Sequence, residues 1–312
     1  MKKISYSAPA KVILTGEHAV VYGKPALVSA LDKRLTVSVA EGRGQHNDVN
    51  IPEIISVIKK YLQVNKHPIT EKKSDVVISS DIPIGRGLGS SGALSVASSA
   101  ALIEFFTGRQ FTPEEINNCA YQVEKIFHKN ASGVDPTTSC FGGLIFYRKE
   151  FEFLKTFSSL HIKIPKKIAE NLLLIDSGKP SESTLEMVQM VGDLYNKKVS
   201  FTEKALLQIE KITKRMVVSL IKEDKEFFKQ TIIDNEKLLE TIGVVSQSTK
   251  NLFKTLKPFG VGKITGGGGR KTGSGFTLFY TDRKSDMESY LKKRKINYLL
   301  FTSSFEGVKK II

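Results

Sequence analysis

The chain has 312 residues, 40% of them hydrophobic and 25% charged, and a formal net charge of +15, the profile of an ordinary globular protein long enough for two domains. No apolar run approaches the roughly 18 residues of a membrane span, and Cys119 and Cys140 are too few for a disulfide framework and lack metal-ligand spacing. The basic residues are scattered in short clusters such as Lys166-Lys167 and Lys292-Lys-Arg-Lys295, with no nucleic-acid motif beside them; the positive field suits anionic small molecules, and charge alone does not separate these from nucleic acid.

Residues 1–9, Met-Lys-Lys-Ile-Ser-Tyr-Ser-Ala-Pro, lack the apolar core of a secretion signal, and a cytoplasmic location is expected. Residues 5–8 and 36–39 alternate as strands do. In between, Lys11 interrupts an apolar run, where a lysine must be paired or must snorkel out. Glu17 and His18 follow at a Gly16-Glu-His18 turn and are candidates for contact with a polar substrate, although turns are polar by default. No second ligand stands at metal spacing from His18. Residues 52–62 have the spacing of an amphipathic helix, and residues 75–80 read as a β-branched strand.

The most informative stretch comes next: Pro83-Ile84-Gly85-Arg86-Gly87-Leu88-Gly89-Ser90-Ser91-Gly92-Ala93. Glycines at 85, 87 and 89 let backbone amides approach a ligand, and a proline-free, Ala- and Leu-rich helix is expected from Ser90 or Ser91 to Phe106, its positive dipole end facing the loop. Strand, glycine loop and helix in that order suit a polyphosphate. The spacing is neither that of a Walker A loop nor that of a dinucleotide fingerprint. Ser91 adds a hydroxyl for a metal ion.

Thr112-Pro-Glu-Glu115 is a capping box, and the helix it starts should run to about Phe127 with Glu124 in its last turn. Glu124 reads either as a surface carboxylate or as a partner of Ser91 on Mg²⁺. Asp135, before Pro136, suits a helix N-cap with proline at N1, and the same turn suits a carboxylate that accepts a proton from a hydroxyl beside a cation such as Lys11. A strand is expected at 144–147 after Gly142-Gly143. Beyond about residue 160 the reading is a smaller α+β domain: a buried strand at 171–175, helices at 181–195, 202–222 and 224–243, a second glycine loop at Gly262-Lys-Ile-Thr-Gly-Gly-Gly-Gly269 and a strand at 275–280. With no linker in between, the two domains should pack closely.

Three separated motifs, Pro9-Ala-Lys-Val-Ile-Leu-Thr-Gly-Glu-His-Ala-Val-Val-Tyr-Gly23, the residue 83–93 loop and Lys263-Ile-Thr-Gly-Gly-Gly-Gly269, together resemble the signatures of the GHMP kinase superfamily. The Gly-Glu-His turn, and Glu124 followed by His128-Lys-Asn-Ala-Ser-Gly-Val-Asp135, resemble the mevalonate kinases within it. The resemblance implies an α+β fold, with a ribosomal protein S5 domain 2-like domain over residues 1–162 and a ferredoxin-like domain over 163–312. It also implies ATP and Mg²⁺ as cofactors and mevalonate as acceptor. Pro83 to Ala93 would wrap the ATP phosphates and Ser91 and Glu124 would hold Mg²⁺. Asp135 would be the base, with Lys11 as its partner. Glu17, His18 and Thr184 would face mevalonate. Neither a nucleic-acid nor a membrane partner is implied, and a homodimer is an admissible assembly. The chain departs from the pattern at Gly92, where alanine is usual, at Lys129 and Ala131, and at Arg270-Lys271.

Overall fold

The computed structural model describes residues 3–128, 131–152 and 154–311. Two long strands, β1 (Ile4–Thr15) and β2 (Ala26–Glu41), form an antiparallel pair whose register shifts at Pro9/Ala10 and between Ile13 and Thr15. Those shifts, and the charged Asp32-Lys-Arg34 run inside β2, explain why sequence alternation marked only fragments of each strand. Tyr6, Ala8, Ala10, Val12 and Leu14 share one face and join the main core. By the same two-residue period, Lys11 and Ile13 face the other way.

α1 (Ile51–Val64), β3 (Ser74–Ser80), α2 (Ser90–Thr107), α3 (Pro113–Phe127), α4 (Val134–Phe141), β4 (Leu144–Lys149) and β5 (Lys155–Leu160) complete the first half. β2 is long enough to pair with β4 at one end and β3 at the other, both antiparallel. α2 is buried from Gly92 to Phe106, and its Ala and Ser residues let it lie close against the sheet on one side and α3 and α4 on the other.

The second half runs α5 (Lys166–Ala169), β6 (Leu172–Asp176), α6 (Thr184–Lys197), α7 (Val199–Ile221), α8 (Lys225–Thr241), α9 (Gln247–Leu256), β7 (Val261–Ile264), β8 (Phe276–Tyr280), α10 (Lys284–Lys293) and β9 (Tyr298–Leu300). Among the described residues its sheet has the order β7-β8-β6-β9, antiparallel throughout. The last strand, β10 (Lys309–Ile311), does not stay with that sheet: it covers the edge of β1, pairing Tyr6 with Lys310. The tail of the second half thus pairs with the β1 edge of the first, which would otherwise present unpaired backbone groups. Lys310 also pairs with Glu104 of α2, whose other oxygen accepts from the Tyr6 hydroxyl.

The two halves share one core cluster, in which Leu172, Leu174, Met216, Phe228 and Leu278 pack with residues of β1, β2 and α2. They are also tied by buried polar groups. Lys263 of β7 forms an ion pair with Glu17 just after β1, both side chains fully buried, and the Asn235 side chain donates to the second Glu17 oxygen at 3.2 Å. Nearby, the Ile264 amide donates to Glu236 Oε2 at 2.9 Å, whereas Glu236 Oε1 has no partner among the described residues.

Burial pushes the Glu236 carboxyl up to about 8 from the ordinary 4.5, so the folded chain holds this proton more tightly than the unfolded one. The stability this group contributes is present below pH 4.5 and is lost as pH rises through 8. Glu236→Gln keeps the acceptor for Ile264 and carries no charge. It is expected to raise the thermal midpoint at pH 8 and to change it little at pH 5; an equal change at both pH values would contradict a protonated Glu236.

Candidate active site

A cleft of about 660 Å³ opens where the α2 N-terminus, the start of α4 and the glycine loops of both halves meet. The loop from β3 to α2 holds Gly85, Gly87 and Gly89 at φ of 69°, 83° and 76°, which turns successive amides toward a common concavity. No acidic residue stands in the first turn of α2 to oppose an anion. The loop is fixed from both sides: Lys11 N donates to Leu88 O at 3.0 Å and Phe276 N donates to Arg86 O at 2.9 Å. Arg86 itself pairs with Asp176 at the end of β6.

Two glycines are required by their neighbours, and Gly89 by its positive φ as well. A Cβ on Gly89 would stand 2.6 Å from Lys11 Cγ, and one on Gly92 would stand 2.8 Å from Asp135 Cβ. Gly92 thus lets α2 approach the start of α4, which accounts for glycine at the position where the motif usually has alanine.

That approach brings the central pair together. Lys11 Nζ lies 3.1 Å from Asp135 Oδ1, with the Lys11 side chain 3% exposed and Asp135 19% exposed. Lys11 is therefore paired rather than snorkelling. Asp135 is not the N-cap of its helix: α4 begins at Val134 with Gly133 as cap at φ 87°, which leaves the Asp135 carboxylate free to face Lys11 and the cleft. The preceding segment is held by its carbonyls, since the Tyr147 hydroxyl donates to Ser132 O at 2.6 Å and Lys149 Nζ to Ala131 O at 2.9 Å.

Glu124, expected either at the surface or at a metal, is 3% exposed, and its Oε2 has no hydrogen-bond partner among the described residues. Burial first, and the nearby Asp135 second, push its carboxyl well above the usual range. Ser91 Oγ lies 3.3 Å from His128 Nε2, and all three residues line the cleft. Sequence reasoning assigned His128 no role; its place four residues after Glu124 in the motif was the available signal. Burial holds the His128 imidazole below its ordinary value. The described residues contain no cluster of three or more ligating side chains. One orphaned buried carboxylate oxygen and one hydroxyl beside a phosphate cradle do suit Mg²⁺, which keeps waters and shares phosphate oxygens.

His18 is 5% exposed and held at φ 59°, a costly conformation for a side-chain-bearing residue. Burial lowers its imidazole to about 4, so it is neutral, and Nε2–H donates to Gly267 O at 3.1 Å. His18, Thr184 at the start of α6, and Gly266, Gly267 and Gly268 line the same cleft. Glu17, expected to face the acceptor, is not among the lining residues, and its carboxylate pairs with Lys263. Of the residue 83–93 loop, Ile84, Gly85, Gly87, Gly89, Ser90 and Ser91 reach the cleft, whereas Leu88 and Ala93 are in the core and Arg86 turns to Asp176. Arg270 stays outside the cleft lining, its amide donating to Glu182 at 3.3 Å, and Lys129 lies outside the described residues.

The model of the GHMP kinases N terminal domain matches residues 53–143. A mevalonate kinase of Thermococcus sibiricus is 32% identical over 301 residues, covering 86% of this chain and 87% of that protein. One from Archaeoglobus fulgidus is 34% identical over 277 residues, covering 84% and 88%. The crystal structure of Methanococcus jannaschii mevalonate kinase, 23% identical, superposes with a TM-score of 0.75 over 97% of this chain and 99% of that one, so the α+β GHMP kinase fold implied by the motifs is the fold found. With identity above 30% sustained across most of its length, the chain belongs to the mevalonate kinase family of the GHMP kinases.

Proposed function

We propose that the protein transfers the γ-phosphoryl group of ATP to the C5 hydroxyl of (R)-mevalonate, giving 5-phosphomevalonate and ADP, a step of isoprenoid biosynthesis. The observation that carries this reading is the Lys11–Asp135 pair at 3.1 Å, set beside the phosphate loop on a buried strand and a helix start. The names of the relatives support mevalonate as the acceptor.

The loop amides of Gly85 to Gly89 and the α2 N-terminus would bind the phosphates. The cleft lining also includes apolar Leu35, Ile78, Ile84 and Leu94 together with Asn50 and Ser80, a set that suits a flat base. Ile13, Val20 and Val188 line the cleft as well, and with His18 and Thr184 they offer the mixed apolar and polar lining that suits a small branched hydroxy acid. Asp135 would accept the hydroxyl proton, while the Lys11 ammonium lowers the cost of negative charge on that oxygen. Glu124 and Ser91 would hold Mg²⁺, which when bound neutralises charge on the phosphate oxygens. The fixed carbonyls of Ala131 and Ser132 keep the Asp135 turn in place.

ADP release measured with mevalonate, phosphomevalonate, homoserine and a sugar as acceptors tests the assignment. Mevalonate is expected to give the highest kcat/KM by at least roughly 100-fold, the scale on which a site with placed polar groups separates related acceptors. A preference for any other acceptor would reassign the substrate, and nucleotide-independent inertness toward all four would remove the activity.

A further inference from the structure

Lys11 and Lys179 line the cleft; Lys11 is committed to Asp135, and nearby Arg86 and Lys263 are committed to Asp176 and Glu17. Lys179 is exposed and has no carboxylate partner among the described residues. It comes from the second half of the molecule yet lies over the phosphate loop. Its Cε is 3.4 Å and its Nζ 4.0 Å from where a Cβ on Gly85 would stand.

The backbone that carries Lys179 is held closely. Asp176 Oδ1 accepts from Gly178 N at 3.0 Å, and the Ser177 amide and hydroxyl both donate to Gly275 O, at 2.9 and 2.7 Å. Gly275 N donates to Gly178 O at 2.9 Å, and the Thr272 hydroxyl donates to Lys179 O at 3.0 Å. The Arg86–Asp176 ion pair then locks this turn to the loop. The arrangement is a fixed mount that carries, beside Gly85 of the phosphate loop, an ammonium without a carboxylate partner among the described residues. A triphosphate brings more negative charge than neutral amides and one divalent ion balance, and a preorganised cation acts most strongly on charge that develops during the reaction.

Resting on the phosphoryl-transfer reading above, we propose that Lys179 is a further catalytic residue, a cation supplied by the second half that hydrogen-bonds the phosphate oxygens during transfer, with Arg86 as the residue that positions it through Asp176. As the acceptor oxygen bonds to the γ-phosphorus, the bond from that phosphorus to the βγ-bridging oxygen breaks. Its electron pair leaves on ADP, and the hydroxyl proton passes to Asp135. Lys179 moves no proton; it donates hydrogen bonds to the oxygens on which charge gathers.

The test compares the wild-type chain with Lys179→Ala, Lys179→Arg and Arg86→Met at saturating Mg²⁺, reading kcat, KM for each substrate and, by calorimetry, ADP affinity. Lys179→Ala is expected to lower kcat by about 100-fold with ADP affinity within about threefold of wild type, the signature of an interaction made chiefly in the transition state. Lys179→Arg is expected to recover about tenfold of that loss, and Arg86→Met to lower kcat in the same direction by about tenfold. A kcat for Lys179→Ala within threefold of wild type would overturn the proposal, as would a rise confined to KM for the acceptor. If mevalonate is not the acceptor, the same kcat comparison with the acceptor that is turned over still decides the role of Lys179, so the two readings fail separately.

Discussion

Asp135→Asn is expected to lower kcat by roughly 1,000-fold, within the span attributed to a positioned general base. The substitution keeps the shape of the side chain and its place in the first turn of α4, but an amide takes no proton. Nucleotide binding should persist, because the loop is held by Leu88 O, Arg86 O and the Arg86–Asp176 pair, none of which involves Asp135. The measurements are steady-state turnover with mevalonate and ADP affinity by calorimetry. Turnover within tenfold of wild type would remove Asp135 from the proton's path, and a parallel loss of ADP affinity would show that the loop had collapsed.

The second large effect is on stability. Lys263→Met leaves the Glu17 carboxylate buried without its cation, and removing one partner of a buried ion pair costs about 3–5 kcal/mol. Glu17→Gln strands Lys263 in the same way. The double variant Glu17→Gln/Lys263→Met removes both charges and is expected to recover most of the loss, because the surrounding contacts from Ile13, Asn235 and Ile264 are backbone or amide groups. Urea unfolding of the four proteins measures the coupling between the two sites. The experiment also separates two roles for Glu17. A residue touching mevalonate would raise KM when changed without loss of stability, whereas the buried pair predicts a stability loss that the second substitution reverses.

The parts of this molecule that were readable in advance have local causes. The capping box at Thr112 and the amphipathic spacing of 52–62 fix α3 and α1 through contacts within a few residues, and both helices stand where those signals put them. The glycine spacing at 85, 87 and 89 likewise marks a backbone requirement satisfied on the spot. What escaped was set by distant partners. Glu17 and Lys263 are 246 positions apart, and nothing near either residue states that they meet. The Asp135–Lys11 pair was legible from the motif, whereas the N-cap role that Asp-Pro suggests falls to Gly133 instead. β10 is three residues long and gains its strand identity from the edge of β1. Lys179 sits in a polar turn without a motif of its own and acquires meaning from the loop beneath it.

The proposed reaction moves a phosphoryl group from ATP onto one particular oxygen of mevalonate. Phosphorus NMR of the product formed from (R)-mevalonate and ATP tests it directly. The expected product is a single phosphate monoester coupled to the C5 methylene protons, formed in equal amount with ADP. A phosphate on the C3 hydroxyl, or ADP formed with inorganic phosphate and no ester, would contradict it.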